Sequence, residues 1–224
     1  YMINYKHKIR LLRFIRKIFR FFNFKIFYSK DVNYLKELHV ENIIDVGVAH
    51  GTKELLDNFP NAYFNLIEPN PVFWKHIEEI LLKKFKGRLF KTAAGNSTGI
   101  SDFYNFGNTS SFLQRQDYEL KNKIKVKLDK LDNIISSNNL KNTLLKIDAE
   151  GYELEVLKGS TNILNSIDYC IVELRLQNIN TYNPSELINY LYEKNFYFHK
   201  IIKVYYVKYG IDFMDILFIK KSLI

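Results

Sequence analysis

The stretch Leu144 to Gly159, LLKIDAEGYELEVLKG, passes from a buried strand through an acidic turn into an amphipathic helix. Leu144, Leu145 and Ile147 form a short apolar run suited to a central strand, and the run stops at Asp148, Ala149, Glu150 and Gly151. Beyond that glycine, Leu154, Leu157, Thr161 and Leu164 recur at helical spacing. In an open α/β sheet ligands sit outside the carboxyl ends of the strands, so two acids at such an end are candidates for chemistry.

Outward from this stretch the pattern alternates between strands and helices. Residues 42–46 read as a first strand and Gly47 to Gly51 as the turn into a helix. Residues 62–67 form a second strand ended by Glu68; Asn70 can cap the next helix, with Pro71 at its first position and Phe73, Ile77, Ile80 and Leu81 as its buried face. Residues 88–93 are a third strand, 144–148 a fourth and 169–174 a fifth, with two more near 196–204 and 213–219. Two further strands at 101–106 and 124–128 flank a Gly107-Asn108-Thr109-Ser110-Ser111 loop. This alternation predicts an α/β fold with a mostly parallel, seven-stranded, doubly wound sheet.

The chain has 224 residues, 47% hydrophobic and 25% charged, enough for one sizeable domain with an appendage. Its net charge of +9 is localised: residues 1–30 carry nine Lys or Arg and no acid, which leaves 24 of each sign in residues 31–224. A neutral domain argues against a nucleic-acid partner, which would call for basic surface around the substrate channel. Cys170 is the only cysteine, so neither an internal disulfide nor a cysteine zinc cluster can form, and a reducing, cytoplasmic setting is expected. The sequence shows neither a membrane span nor a signal peptide.

Residues 1–30 read as a basic amphipathic segment and 31–224 as the domain. Leu11, Ile15, Ile18, Phe19, Phe22 and Ile26 fall on one helical face, with Lys6, Arg10, Arg13, Lys17 and Arg20 opposite. Such a helix over residues 5–27 suits the surface of an anionic membrane. The same periodicity suits a helix packed on the domain or on a second subunit, and a mitochondrial presequence is a third option.

Asp45-Val46-Gly47-Val48-Ala49-His50-Gly51 puts two glycines in a strand-to-helix turn, where a missing Cβ lets a ligand approach the backbone. Glu68, ending the second strand, is placed to accept hydrogen bonds from both ribose hydroxyls of a nucleoside. The spacing differs from the dinucleotide fingerprint G-x-G-x-x-G, since the two glycines are four apart.

With these residues in hand, the chain resembles the FkbM methyltransferases of the S-adenosylmethionine-dependent class I, Rossmann-like fold. The resemblance rests on DVGVAHG at 45–51, EPNP at 68–71, AAG at 93–95, TSSF at 109–112, LDKLD at 128–132, KIDAEGYE at 146–153 and VLKG at 156–159. Val48 and Ala49 depart from the family's usual Ala-Asn, removing a side-chain amide near the cofactor's methionine. The resemblance implies S-adenosylmethionine as cofactor, with Gly47 and Gly51 at its methionine end, Glu68 at its ribose, Ala93 and Ala94 near its adenine and Asp45 also among the cofactor-binding residues. Asp148 is then the candidate base, Glu150 either supports it or binds the acceptor, and Ser110, Ser111 and Glu173 line the acceptor side. The implied acceptor is a hydroxyl on a sugar, glycan or other small metabolite.

Each assignment has a plainer counterpart. Asp148 and Glu150 can cap the following helix, Asp45 can fix the glycine turn, Ser110 and Ser111 can be turn residues, and His50 can be merely solvated. A metal held by Asp148, Glu150 and Glu173 is a minor option without a histidine partner, and no metal is expected. At the level of the whole chain the alternative is a degenerate, cofactor-free binding module tethered by its first helix.

Overall fold

A computed structural model describes residues 30–107, 110–112, 123–177, 182–208 and 210–224. The segment predicted as an amphipathic helix over residues 5–27 lies outside them, as does Thr109 of the predicted 107–111 loop. The chain divides after Glu37 into two units, and a 3-10 helix, Lys30–Glu37, belongs to the first. Among the described residues no helix is long and apolar enough to cross a membrane.

The second unit is built on a sheet of seven strands. In chain order its elements are β1 (Asn42–Val46), α1 (Lys53–Asn58), β2 (Tyr63–Ile67), α2 (Pro71–His76), β3 (Gly87–Phe90), β4 (Ala93–Ala94), β5 (Gly99–Tyr104) and β6 (Lys123–Asp129). Then come α3 (Leu131–Ile134), β7 (Thr143–Ile147), α4 (Glu153–Lys158), β8 (Tyr169–Arg175), α5 (Pro184–Glu193), β9 (Phe196–Val207) and β10 (Gly210–Lys220). The order across the sheet is β3-β2-β1-β7-β8-β10-β9. The first five strands run parallel, whereas β10 is antiparallel to both β8 and β9, so the sheet is mixed.

Register and the two-residue period of a strand sort the side chains onto two faces. Ile44 and Val46 of β1, Leu145 and Ile147 of β7, Cys170, Val172 and Leu174 of β8, and Ile216 and Phe218 of β10 share one face and one apolar core. Leu154, Val156 and Leu157 of α4 and Leu187 and Leu191 of α5 belong to that core. Each such fully buried side chain contributes roughly 1.5–3 kcal/mol of transfer free energy. The opposite face of the same strands carries charge toward its carboxyl end.

Three local expectations are corrected. The run at 88–93 is divided: β3 stays in the main sheet, while Ala93 and Ala94 cross to a second sheet of order β4-β6-β5 with its own small core of Ala93, Phe103, Val126 and Leu128. After α2 the helix widens into a π turn at Ile77–Leu81, which keeps Phe73, Ile77 and Leu81 buried four apart and turns Ile80 out to 45% exposure. The helix after the acidic turn is only Glu153–Lys158, with a separate 3-10 turn at Ile163–Ser166. It stops because the Asp132 carboxylate accepts the Asn162 and Ile163 amides, and because Gly159 is pressed against Gly95.

Candidate active site

The chain winds outward from β1 through β2 to β3, then restarts at β7 on the other side of β1, so the crevice lies beyond the carboxyl ends of β1 and β7. Asp45 and Lys146 are direct register partners across these strands, and Glu173 and Asp215 are partners across β8 and β10. Strand alternation adds Asp148 and Arg175 to the same face. The result is one stripe of ionisable side chains, Asp45, Lys146, Asp148, Glu173, Arg175 and Asp215, opposite the apolar core.

The turn after β1 takes its shape from three left-handed residues, Gly47 at φ +84°, Ala49 at +46° and Gly51 at +101°. A Cβ on Gly47 would stand 1.8 Å from the Asp148 carbonyl oxygen, so glycine is required there. The Ala49 N–H donates to Glu68 Oε2 at 2.8 Å and the Asn70 N–H to Glu68 Oε1 at 2.7 Å. Glu68 is 4% exposed; burial pushes its pKa up to about 7 against the pull of these amides. Asp45, 2% exposed, accepts from the Thr52 hydroxyl at 2.8 Å through Oδ2, while its buried Oδ1 has no hydrogen bond among the described residues. Burial raises the Asp45 pKa to about 6, with Lys146 and Thr52 opposing.

No side chain caps α4, so neither Asp148 nor Glu150 takes that role; the fully buried Glu153 at its first position ties the amides of the acidic turn instead. Its Oε1 accepts the Ala149 amide at 3.0 Å and the Gly151 amide at 2.9 Å, and the Tyr182 hydroxyl donates to Oε2 at 2.8 Å. Asp148 and Glu150 are thereby left for other partners. The Lys146 ammonium donates to Asp148 Oδ2 at 2.9 Å, and the Arg175 guanidinium donates to Glu150 Oε2. Glu150 sits at φ +53°, and its carbonyl accepts the Ser111 hydroxyl at 2.9 Å.

Oxygens of Asp148, Glu150 and Glu173 come within 4.8 Å of one another. Arg175 stands among them, 2.8 Å from Glu173 Oε1 and with its guanidinium 5.0 Å from the Phe213 ring centre. The pKa of Glu173 is raised, by burial first and then by Asp148, and Arg175 only partly offsets this because Glu150 shares the same guanidinium. Burial likewise raises Asp215 to about 6. For Lys146, whose side chain is 8% exposed, burial works against the charge but Asp148, Asp45 and Asp215 outweigh it and raise its pKa.

The remaining predicted residues fall around this centre. Ser110 accepts from Asn70 Nδ2 at 3.2 Å and donates to the Gly107 carbonyl at 2.5 Å, so its hydroxyl holds its own loop. Ala93 and Ala94 are buried at 3% and 4%. His50 is exposed and edge-on to Phe73 and His76. Lys146, Glu153, Arg175 and Asp215 escaped the sequence reading as site residues. The available signal was a lysine inside the otherwise apolar strand LLKI, since an unpaired ammonium is not buried.

Several shared motifs turn out to hold the frame. A Cβ on Gly159 would stand 1.8 Å from the Gly95 carbonyl oxygen, so the glycines of AAG and VLKG touch each other. The Asp132 amide donates to the Gly159 carbonyl at 3.1 Å, tying LDKLD to the same junction.

A family model described as the methyltransferase FkbM domain matches residues 33–198. A crystal structure of a methyltransferase FkbM from Methylobacillus flagellatus KT superposes with a TM-score of 0.54 at 15% identity, covering 80% of this chain and 43% of that one. The magnesium protoporphyrin IX methyltransferase of Synechocystis PCC 6803, solved with bound S-adenosylmethionine, superposes with a TM-score of 0.50 at 7% identity, covering 84% of this chain and 76% of that one. Among curated proteins, hexuronic acid methyltransferase AglP of Haloferax volcanii is 48% identical over 44 residues, 19% of this chain and 18% of that protein.

Proposed function

The chain belongs to the FkbM methyltransferase family, and we propose that it is an S-adenosylmethionine-dependent methyltransferase acting on a hydroxyl of a sugar or other small metabolite. One observation carries the reading: Asp148, 30% exposed, directs Oδ2 to Lys146 and has no hydrogen bond on Oδ1 among the described residues, at the strand end pressed against the glycine turn.

The residues suit the cofactor. Glu68 accepts the Ala49 and Asn70 amides on different oxygens, with the Val48 amide also facing it, and keeps lone-pair capacity for a ribose hydroxyl. The buried, unbonded Asp45 Oδ1 and the side-chain-free Gly47 and Gly51 serve the methionine end, and Ala93 and Ala94 leave apolar room for adenine. When bound, S-adenosylmethionine supplies an activated methyl group. Asp148 Oδ1 then takes the proton of the acceptor hydroxyl, and Glu150 and Glu173, fixed by Arg175, orient the acceptor by hydrogen bonds.

A sugar acceptor draws support from the short stretch shared with the archaeal hexuronic acid methyltransferase. The balance of charge in residues 31–224 favours a small acceptor over nucleic acid. Calorimetry of the folded protein with S-adenosylmethionine tests the cofactor; absence of binding would leave the cofactor-free module instead. Labelled S-adenosylmethionine incubated with extract of the protein's own cells tests the acceptor, since label recovered in RNA rather than in small or glycan products would overturn it.

A further inference from the structure

Residues of the loop after β5 join the two halves of the site. On the cofactor side Asn70, fully buried, gives its backbone N–H to Glu68 Oε1 at 2.7 Å and its side-chain amide to Asn105 Oδ1 at 2.9 Å and Ser110 Oγ at 3.2 Å. On the acceptor side Ser111 and Phe112 lie against the acidic turn. The Ser111 hydroxyl donates to the Glu150 carbonyl at 2.9 Å, and the Phe112 ring stands 4.7 Å from that of Tyr152. Ser111 is tied to the end of β5 by a backbone bond in each direction with Tyr104, at 2.9 and 3.1 Å. We propose that Ser111 is a positioning residue, whose hydroxyl holds Glu150 in its left-handed setting and so keeps the Glu150 carboxylate on Arg175 at the acceptor side.

Burial decides between this role and direct contact with an acceptor. Ser111 is 1% exposed, so its hydroxyl acts on the acceptor through Glu150. Glu150 sits at φ +53°, a conformation that its Cβ resists and that persists where the surroundings over-determine it. Three bonds do so. Ser111 holds the Glu150 carbonyl, Glu153 Oε1 accepts the following N–H, that of Gly151, at 2.9 Å, and Arg175 holds the Glu150 carboxylate. The first of these comes from outside the main sheet, from the loop that Asn70 also holds. Return of Glu150 to the right-handed region would rotate the peptide it shares with Gly151. That rotation takes the Gly151 N–H off Glu153 and carries the Glu150 carboxylate away from Arg175.

The role rests on the reading of Glu150 as an acceptor-side group, but the hold itself can be measured without methyl transfer. In the full chain labelled with 15N, amide hydrogen exchange is followed at Gly151 and at Leu145 and Val172, two buried positions of the main sheet. Ser111→Ala is expected to speed Gly151 exchange by about fivefold or more beyond any change at the two core amides, and Ser111→Thr, which keeps the hydroxyl, to restore it. A general loss of stability would speed all three alike. With labelled S-adenosylmethionine varied over an extract of the protein's own cells, the rate at saturating cofactor should fall about fivefold or more in Ser111→Ala. The apparent KM for S-adenosylmethionine should stay within about twofold, and Ser111→Thr should recover the rate. A Gly151 amide that only follows the core would overturn the proposal, as would a loss of rate that a folded Ser111→Thr chain shares. Should Ser111→Ala fail to fold, Ser111→Cys, of similar size but a weak donor, takes its place with the same outcomes. Failure to bind S-adenosylmethionine would remove the proposed function and leave the exchange at Gly151 readable.

Discussion

Gly47 and Asp148 meet backbone to backbone: a Cβ on the glycine would stand 1.8 Å from the Asp148 carbonyl oxygen. The turn after β1 and the turn after β7 therefore hold each other, and the candidate cofactor loop is registered against the candidate base. Gly47 also sits at φ +84°, which a side chain resists. Gly47→Ala is expected to cost about 3 kcal/mol or more in urea unfolding and to weaken S-adenosylmethionine binding in calorimetry. Unchanged stability would mean that the two turns part freely.

Asp148 and Glu68 lie at the ends of different strands and have different partners, so their substitutions should separate. Asp148→Asn keeps the shape of the turn and should retain cofactor affinity while turnover falls about a hundredfold or more. Glu68→Ala removes the acceptor of the Ala49 and Asn70 amides and should weaken cofactor binding about tenfold or more. Equal loss of binding in both variants would refute the division.

Glu153 takes two backbone amides and the Tyr182 hydroxyl while fully buried. Glu153→Ala leaves those three donors without a partner, at a cost of about 3 kcal/mol or more in thermal or urea unfolding. Glu153→Gln keeps one carbonyl oxygen for the amides and should lose far less. A mild Glu153→Ala would show that water or neighbouring groups replace the cap.

The sequence exposed the strands because their apolar runs are short and bounded, and it exposed the acids at strand ends because charge after such a run is conspicuous. It could not assign partners. Which acid ties the amides of the acidic turn depends on Tyr182, twenty-nine residues after Glu153, and on the left-handed backbone of Glu150. Ala93 and Ala94 left the main sheet because they pair with Leu128 and Asp129, a choice made by tertiary contact rather than by propensity. The charges that surround a buried group depend on register, so Lys146 reads as an oddity until Asp45 is placed opposite it and Asp148 is paired with it.

The departure from the family's usual turn has a measurable consequence. Ala49 occupies φ +46°, a region that asparagine and glycine enter more readily than alanine. Ala49→Gly and Ala49→Asn should each stabilise the fold by roughly 0.5–1 kcal/mol in urea unfolding, since the amide bond to Glu68 is made by the backbone and survives. If Asn also tightens S-adenosylmethionine binding where Gly does not, its side-chain amide serves the methionine end. Destabilisation by both would show that the turn fits alanine specifically.

With Glu68 at the cofactor's ribose, cofactor affinity and stability are expected to respond to pH in opposite directions. Its folded pKa is raised to about 7 from an ordinary 4.5, so the folded chain holds the extra proton between these values. The group's stabilising contribution is complete below about pH 4.5 and is lost as pH rises through about 7. Its ionisation above pH 7 costs the fold about 3 kcal/mol as an upper, order-of-magnitude figure. The ionised form is the better acceptor for ribose hydroxyls, so S-adenosylmethionine affinity should rise between about pH 6 and pH 8, the window set by the raised pKa. Glu68→Gln should flatten both trends through this window. Urea unfolding and calorimetry at four or five pH values read them separately, and a Glu68→Gln chain whose two pH trends match the parent's would assign them to Asp45 or Asp215 instead, whose pKa values are also raised.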